Sequence, residues 1–580
     1  MSSLEEIRHS LAHLLAAAVL KKYPKTKLGI GPVIENGFYY DFQFPKPIAE
    51  ADLERLENEM RSLIKAGLDF KGEKLTPLKA KKMFKGQPFK LDLIKEFSKD
   101  KKPLTIYHTG DIFTDLCRGG HVKNTKEINP ESFKLTHLAG AYWRGSEKNP
   151  MLTRIYGLAF NTKQELEEHL KMVEEAKKRD HRKLGKELGL FTIIDEIGPG
   201  LPLFYPKGAI LRRLVENYII ELQEKNGYVP IWIPHITKGE LYKISGHLDK
   251  YDAMYPPMKL KDEADYYLKP MNCPHFMMLY KTEPHSYRDL PLRYTATTTN
   301  YRYEKSGELS GLTRVRALTQ DDCHVFCAPE QIESEINLML DMIGQAYQDF
   351  GFKDFWIRIS VSDPKNKEKY IGNPKVWQES EAALKTLIAK RGWRSEIGVG
   401  EAAFYGPKLD FILKDVLGRE WQLSTIQLDM NLPKRFELEY TDAAGKKQQP
   451  VVIHRAILGS TERFLGILIE HFGGAFPLWL APVQIAIVPI SEKHLDYAKK
   501  LKSELSEFRA EISEENETLG KKIRNAQLQK IPYILVAGDK EIEQNSANVR
   551  HYKTGVLGNM KLESLKEKLR EEIKNRTNSS

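Results

Sequence analysis

The chain has 580 residues, too many for one hydrophobic core, and its length alone points to three or four domains. Charged residues make up 29% and the hydrophobic set 41%, the balance of an ordinary soluble globular protein, and no apolar run reaches the roughly 18 residues of a membrane helix. The net charge of +10 is spread through lysine-rich helices, so the surface either attracts a polyanion such as RNA or merely keeps the protein in solution. Glu5, Glu6 and Arg8, with two histidines in the apolar run that follows, make a poor signal peptide. Four cysteines in so long a chain make no disulfide framework, which points to a reducing cytoplasm, and without an apolar run of membrane length no membrane partner is expected.

Residues 1–150 mix short helices and strands. Residues 5–23 have helical periodicity, with Ile7, Leu11, Leu14, Leu15 and Val19 on one side. "GFYYDF" and "LTIYH" read as strands. Residues 151–189 form a linker, within which 161–189 read as one long polar helix, a solvated connector. Residues 190–480 are the large domain. A helix over 207–227 carries apolar residues at 210, 211, 214, 215, 218, 219 and 222 and stops at Asn226-Gly227. "YVPIWIP" suits an edge or interface strand. Strands at 315–327, 409–415 and 419–429 between helices predict an α+β domain with an antiparallel sheet. Residues 481–580 alternate strand and helix as a small α/β domain ending in the polar tail "NRTNSS".

Chemistry concentrates in a few places. Arg302, Glu304, Arg314 and Arg316 lie on two runs joined by a Gly- and Ser-rich loop. Two strands there would aim arginines at one face, where planar guanidinium forks clamp phosphate oxygens; the alternative is a solvated charged hairpin. Arg463 follows a glycine turn in the first turn of a helix beginning near Ser460. Cations favour helix C-termini, so an arginine there is aimed at a ligand. His9 and His13 share a helical face, and "DLCRGGH" supplies Asp115, Cys117 and His121. By composition this set suits zinc. Cys273, His324 and His454 are too far apart for spacing to assemble them. Cys323 adjoins His324 and faces the other side of a strand; with Cys327 it reads as a core thiol.

These segments resemble the three motifs of class II aminoacyl-tRNA synthetases: the helix and strand ending at Pro234, "YRYE" through "VRALTQDD", and "GSTERFLGILIEH". The HIGH and KMSKS strings of class I do not occur. "LYKISGHLDKYDAM", "KPMNCP", "TQDDCHVF", "FYGPKLDF", "STIQLDM" and "VVIHRAILGS" resemble the threonyl-tRNA synthetase family across nearly the whole chain. The resemblance implies activation of threonine with ATP and Mg²⁺ to threonyl-adenylate, transfer to tRNA(Thr), hydrolysis of mischarged Ser-tRNA(Thr), and a homodimer built on the first motif.

Residue by residue, it places Arg302 on the α-phosphate, Glu304 and Arg314 at the adenine and γ-phosphate ends of ATP, and Arg463 on the other side of the nucleotide. His247 aligns with a histidine implicated in the transfer step. Cys273, His324 and His454 fall on a zinc site whose open position takes the amino and hydroxyl groups of threonine. Gln320, Asp322, Tyr405, Lys408 and Gln427 surround it. "NCPHF" departs from the usual Asn-Cys-Pro-Gly-His. Serine keeps the hydroxyl, and a missing methyl is worth only about 1–3 kcal/mol, so a second, editing site is expected. Residues 1–150 resemble that editing domain, where the cluster works without metal, which reverses the composition reading. His9, His13, Lys90, Asp115, Cys117 and His121 are then a water-positioning site. Asn516, Glu541 and Arg550 fall on anticodon-reading positions. The chain starts eight residues before His9, which suggests a member lacking the small N-terminal domain.

Three rivals remain. A prolyl-type ligase lacks the Cys273/His324/His454 set. A synthetase-like RNA-binding regulator would not need Arg302 and Arg463. A free-standing tRNA hydrolase would leave the large domain unexplained.

Overall fold

The computed structural model describes residues 2–100, 104–261 and 263–576; the polar tail expected at the C-terminus lies outside them beyond residue 576. The chain forms two compact units, Met1–Glu174 and Glu175–Ser580.

The first unit is built around the helix Leu4–Lys22. Ser3 caps it in a reciprocal box: its hydroxyl accepts from Glu6 N–H, and the Glu6 carboxylate accepts from Ser3 N–H. Its sequence reads as one-sided, yet every residue from Ser10 to Val19 is buried. Alanines at 12, 16, 17 and 18 let neighbours close on the faces that the periodicity leaves unassigned. The helix packs with Asp52–Ala66 and with an antiparallel sheet ordered Lys27–Leu28, Gly37–Gln43, Met151–Ala159, Phe133–Tyr142. Because Met151–Ala159 pairs with strands on both sides, this unit runs past residue 150 to Glu174, and the linker expected from 151 starts inside a sheet. A second antiparallel sheet, Phe70–Lys74, Thr105–Thr109 and Phe113–Leu116, carries Asp115.

The single connector helix expected over 161–189 is two helices, Lys163–Arg179 and His181–Glu187. Asp180 breaks it, its carboxylate capping the second helix at Arg182 N–H. The second helix is not solvated: His181, Leu184 and Leu188 are buried in the larger unit.

In that unit the helix Pro206–Lys225 forms as expected, with proline in its first turn and Gly227 at φ +78° after its end. An eight-stranded sheet runs in the order Val229–Pro230, Leu292–Tyr301, Ala317–Cys327, Val451–Ala456, Glu420–Asp429, Lys408–Lys414, Phe355–Val361, Ser395–Val399. It is parallel only at its two ends. The helices Pro206–Lys225, Ile332–Asp349 and Thr461–Phe472 share a core with one face, where Cys323 and Cys327 are fully buried. The C-terminal sheet is mixed: Ala510–Ile512, Ile485–Pro489 and Tyr533–Ala537 are parallel, and Ser546–His551 and Gly555–Lys561 extend it antiparallel.

One expectation about the arginine-rich segment is corrected. Leu292–Tyr301 and Ala317–Cys327 pair along their full length, so Arg302, Glu304, Arg314 and Arg316 all fall in the connecting loop. They reach their targets from that loop and not from alternating strand positions.

Candidate active site and editing cleft

Register assembles what spacing does not. His324 lies directly opposite His454 across the antiparallel pair Ala317–Cys327 and Val451–Ala456, with ring centroids 4.3 Å apart. Cys273 opens the helix Cys273–Lys281, and the three candidate ligand atoms lie within 4.8 Å of one another. All three residues are buried. His454 Nε2 is 3.0 Å from the Asp429 carboxylate, which orients the ring and leaves Nδ1 free for a ligand. Neither ring nitrogen of His324 has a hydrogen-bond partner among the described residues, and Nδ1 lies 3.7 Å from the Asp322 carboxylate. An orphaned buried nitrogen costs about 1–3 kcal/mol, which a bound cation offsets. Burial, with Asp322 and Asp429 nearby, pushes the Cys273 thiol up; burial and His454 push His324 down. Cysteine with two neutral imidazoles is a zinc donor set, and three protein ligands leave an open position. The residues present therefore fit zinc.

A cleft of about 370 Å³ opens over these residues. Gln320, Asp322, Tyr405, Lys408, Gln427 and Arg302 all line it. Asp322 accepts from Asn272 Nδ2 at 3.0 Å, Tyr405 donates its hydroxyl to Gln427, and Lys408 pairs with the buried Asp410 at 2.7 Å. Burial pushes Lys269 down to about 8; its Nζ donates to Thr298 and it lies near Asp322. His247 sits behind this wall and not on it. It is fully buried, 3.9 Å from Cys273 Sγ and 2.7 Å from Ser245 Oγ, and burial, His454 and Arg435 push it down to about 4. His275, at the departure in "NCPHF", is buried with both ring nitrogens unpartnered among the described residues. Sequence reasoning missed Asn272, Asp429, Lys269 and Tyr251, which lines the same cleft; only their position inside matching blocks signalled them.

A second cavity of about 200 Å³ shares Arg302, Gln320 and Gln427 with the first and adds Glu304, Arg314 and Arg463. Ser460 caps the helix Thr461–Phe472 and so fixes Arg463 in its first turn. Arg463 donates to the carbonyls of Thr313 (2.9 Å) and Gln422 (3.2 Å). Burial lowers its pKa, and so does repulsion from Arg302 and Arg314. Arg314 pairs with Glu304 at 2.9 Å and Glu308 at 2.8 Å, whereas Arg316 is spent on the Glu304 carbonyl. Three guanidinium groups within repulsive reach make a cavity that suits a polyphosphate.

The histidine cluster of the first unit also comes together. Cys117 Sγ lies 3.1 Å from His121 Nε2 and 3.5 Å from His9 Nε2, and the His13 and His121 rings are 4.2 Å apart. The ligand atoms of His9, His13, Cys117 and His121 all lie within 4.8 Å. Burial raises Cys117 to about 11 and pushes His9, His13 and His121 down, so all four are neutral at pH 7. Lys90 and Asp115 form a buried pair at 2.5 Å, and Tyr40 donates to the same carboxylate at 2.5 Å. Tyr40 was invisible in the sequence because its partner is 75 residues away. His9, His13, Lys90, Asp115 and Cys117 line a cleft of about 700 Å³.

In the C-terminal part, Asn516 is exposed in the loop after Ala510–Ile512. Glu541 is buried in the helix Asp539–Glu543, and Arg550 is half-buried on the strand Ser546–His551.

Comparison with known proteins agrees with this architecture. Residues 258–472 match the tRNA synthetase class II core domain (G, H, P, S and T), and residues 484–572 match an anticodon binding domain. Residues 104–156 match the threonyl and alanyl tRNA synthetase second additional domain. The chain is 49% identical to a threonine--tRNA ligase of Rubrobacter xylanophilus, over 94% of this chain and 85% of the relative. With the threonine--tRNA ligase of Thermus thermophilus it is 48% identical, over 96% and 86%. Among solved structures, a Cryptosporidium parvum threonyl-tRNA synthetase RNA binding domain superposes with a TM-score of 0.65 at 37% identity. That match covers 68% of this chain and 98% of the other. Giardia lamblia prolyl-tRNA synthetase, at 17% identity and a TM-score of 0.54 over 69% and 81%, shares the fold.

The buried thiol and imidazoles make a direct test of the cation site. Cys273→Ser is expected to lose bound zinc by elemental analysis, while Cys323→Ala, on the core side of the same sheet, keeps it. Since the raised Cys273 thiol must give up its proton to bind, zinc is expected to be released as the pH falls. Equal zinc in both variants would remove Cys273 from the site.

Proposed function

Because this chain belongs to the threonine--tRNA ligase family, we propose that its two clefts divide the work, one making aminoacyl-tRNA and the other removing the serine error. The chain joins threonine to tRNA(Thr) at the expense of ATP, with Mg²⁺ accompanying the nucleotide. The observation that carries the assignment of residues is that Arg302 lines both the cleft over Cys273, His324 and His454 and the adjoining arginine-lined cavity, so the amino-acid side and the phosphate side meet at one guanidinium.

The threonine carboxylate attacks the α-phosphorus, the bond to pyrophosphate breaks, and threonyl-adenylate forms. Arg302 holds the α-phosphate at that junction. Arg463 and Arg314 hold the nucleotide from the far side, and Glu304 fixes Arg314 and the adenine end. Catalysis here is positioning and charge stabilisation. Zinc held by Cys273, His324 and His454 would supply a Lewis-acid position for the amino and hydroxyl groups of threonine. Asp322, oriented by Asn272, accepts the ammonium or hydroxyl protons, and Gln320, Tyr405, Lys408 and Gln427 close the pocket. Valine lacks the hydroxyl and leaves these groups unpaired, whereas serine satisfies them. In the second step the terminal ribose hydroxyl of tRNA attacks the carbonyl carbon and AMP leaves. His247, behind Cys273, serves that step by fixing the wall of the pocket.

The editing reaction is hydrolysis of the ester of Ser-tRNA(Thr) in the cleft of the first unit. His9, His13 and His121 are neutral and able to accept a proton from water, with Cys117 beside them and the Lys90–Asp115 pair as a fixed dipole. A metal-free site is favoured by the thiol already sitting at hydrogen-bond distance from two imidazoles; His13 Nδ1 lacks a hydrogen-bond partner here, whereas in the other cluster both nitrogens of His324 do. Asn516, Glu541 and Arg550 read anticodon bases on their unpaired edges. The exposed segment at Val229 and Trp232 offers the face of a homodimer. No helix among the described residues is long and apolar enough to cross a membrane, in keeping with work in the cytoplasm.

Arg302→Ala and Arg463→Ala are each expected to lower ATP–pyrophosphate exchange by about 10²–10³-fold, the scale of one lost charge-stabilising donor. Normal exchange in either variant would take that arginine out of the mechanism. The His9→Ala/His13→Ala double variant is expected to keep threonine and serine activation and to accumulate Ser-tRNA(Thr). Deacylation at the parental rate would make these histidines structural, and restoration of chelator-treated enzyme by zinc would make the site metal-dependent.

A further inference from the structure

A third group in the larger unit, Asp180, His181 and Glu470, has its potential ligand atoms within 4.8 Å of one another, but each is already engaged. His181 Nδ1 is 2.6 Å from Glu470 Oε1, and the His181 backbone N–H donates to the same oxygen at 3.0 Å. His181 Nε2 accepts from Leu312 N–H at 3.0 Å. Asp180 is held by Arg182, and the second oxygen of Glu470 takes Arg419. Since a backbone N–H can only donate, Nε2 must be unprotonated and Nδ1 must carry the proton. This is a fixed hydrogen-bond relay, not a cation site.

The relay ends on the arginine loop. Leu312 is followed by Thr313, whose carbonyl accepts from Arg463, and then by Arg314. Arg463 and Glu470 are seven residues apart on one helix, two turns along the same face. The helix Thr461–Phe472 therefore grips two consecutive loop residues, directly through Arg463 and indirectly through Glu470 and His181. Gly311, at φ +47°, makes the close approach possible: a Cβ there would lie 2.2 Å from His181 Nε2.

We propose that His181 is a positioning residue for ATP. It acts through Leu312 to set the part of the loop that presents Arg314, and it does not touch substrate. The proposal rests on Arg302, Arg314 and Arg463 being the nucleotide-binding residues.

Two substitutions separate the two ends of the ring. In His181→Asn the amide sits where Nδ1 was, keeping Glu470 but falling short of Leu312. In His181→Gln the amide oxygen reaches the Nε2 position and accepts from Leu312. In ATP–pyrophosphate exchange, His181→Asn is expected to raise the KM for ATP about tenfold, the effect of a buried N–H left without its acceptor. Its KM for threonine is expected to stay within about twofold of the parent, a change of no more than a few tenths of a kcal/mol. His181→Gln is expected to bring the KM for ATP back toward the parental value even if its melting temperature falls. The proposal is overturned if His181→Asn has the parental KM for ATP. It is also overturned if both variants change the ATP and threonine constants alike, in step with lost stability. Should His181→Asn not fold, a KM for ATP in His181→Gln raised as much as tenfold would overturn it, and a near-parental value would support it. Arg463→Ala, run alongside, keeps the two ideas apart: if it leaves ATP use unchanged, the nucleotide site itself is misread.

Discussion

The register of two antiparallel strands in the middle of the large sheet carries the site. With His324 opposite His454, every second residue on Ala317–Cys327 faces the cleft, which brings Asp322 to the same side. A one-residue slip would turn the ligands into the core and bring Cys323 out. The core side locks that choice. Cys323 is fully buried, Arg455 packs over Tyr228 at 4.8 Å and 3.5 Å from Asp321, and Asp321 accepts from the N–H groups of Ile457 and Leu458. Charges this deeply buried tolerate only one arrangement, because a displaced member would leave its partner unpaired in low dielectric.

The strand pair also fixes where the chain must turn. Because Tyr301 pairs with Ala317 at the ends of their strands, the fifteen residues between them have to leave the sheet together, and Arg302 departs at its very edge. A loop alone would hold three like charges poorly. Here Glu304 and Glu308 bind Arg314, and Arg463, held on the helix Thr461–Phe472, donates to the carbonyls of Thr313 on the loop and Gln422 on the strand Glu420–Asp429. The repulsion that remains among the arginines is relieved by an anion, so electrostatic readiness and geometric order come from the same contacts.

Much of this was legible in residue order, and what was not has physical causes. The helix Pro206–Lys225 announced itself through its apolar period and Asn-Gly stop. The strands holding His324 and Gln427 did so through alternating apolar runs. Three readings failed where local pattern misleads. Alanines hid the all-round burial of the Ser10–Val19 stretch of the first helix. Asp180 looked like one more charge in a polar helix, although its carboxylate ends that helix and starts another. The charged run after Tyr301 imitates strand alternation while lying in a loop. The cut at 150 fell inside a hairpin, since nothing local says that Met151–Ala159 pairs with a strand more than a hundred residues earlier. Cys273, His324 and His454 were connected only by family resemblance, because register is a property of the folded sheet. Tyr40, Asp429 and His181 were not found at all, since each acts through a partner distant in sequence.

The account turns on a pocket that recognises an amino acid by its hydroxyl, next to arginines that hold ATP. ATP–pyrophosphate exchange measured with each of the twenty amino acids tests this most directly. The expected result is strong exchange with threonine, measurable exchange with serine, and exchange with valine no higher than without amino acid. Exchange with valine or proline as fast as with threonine would contradict it.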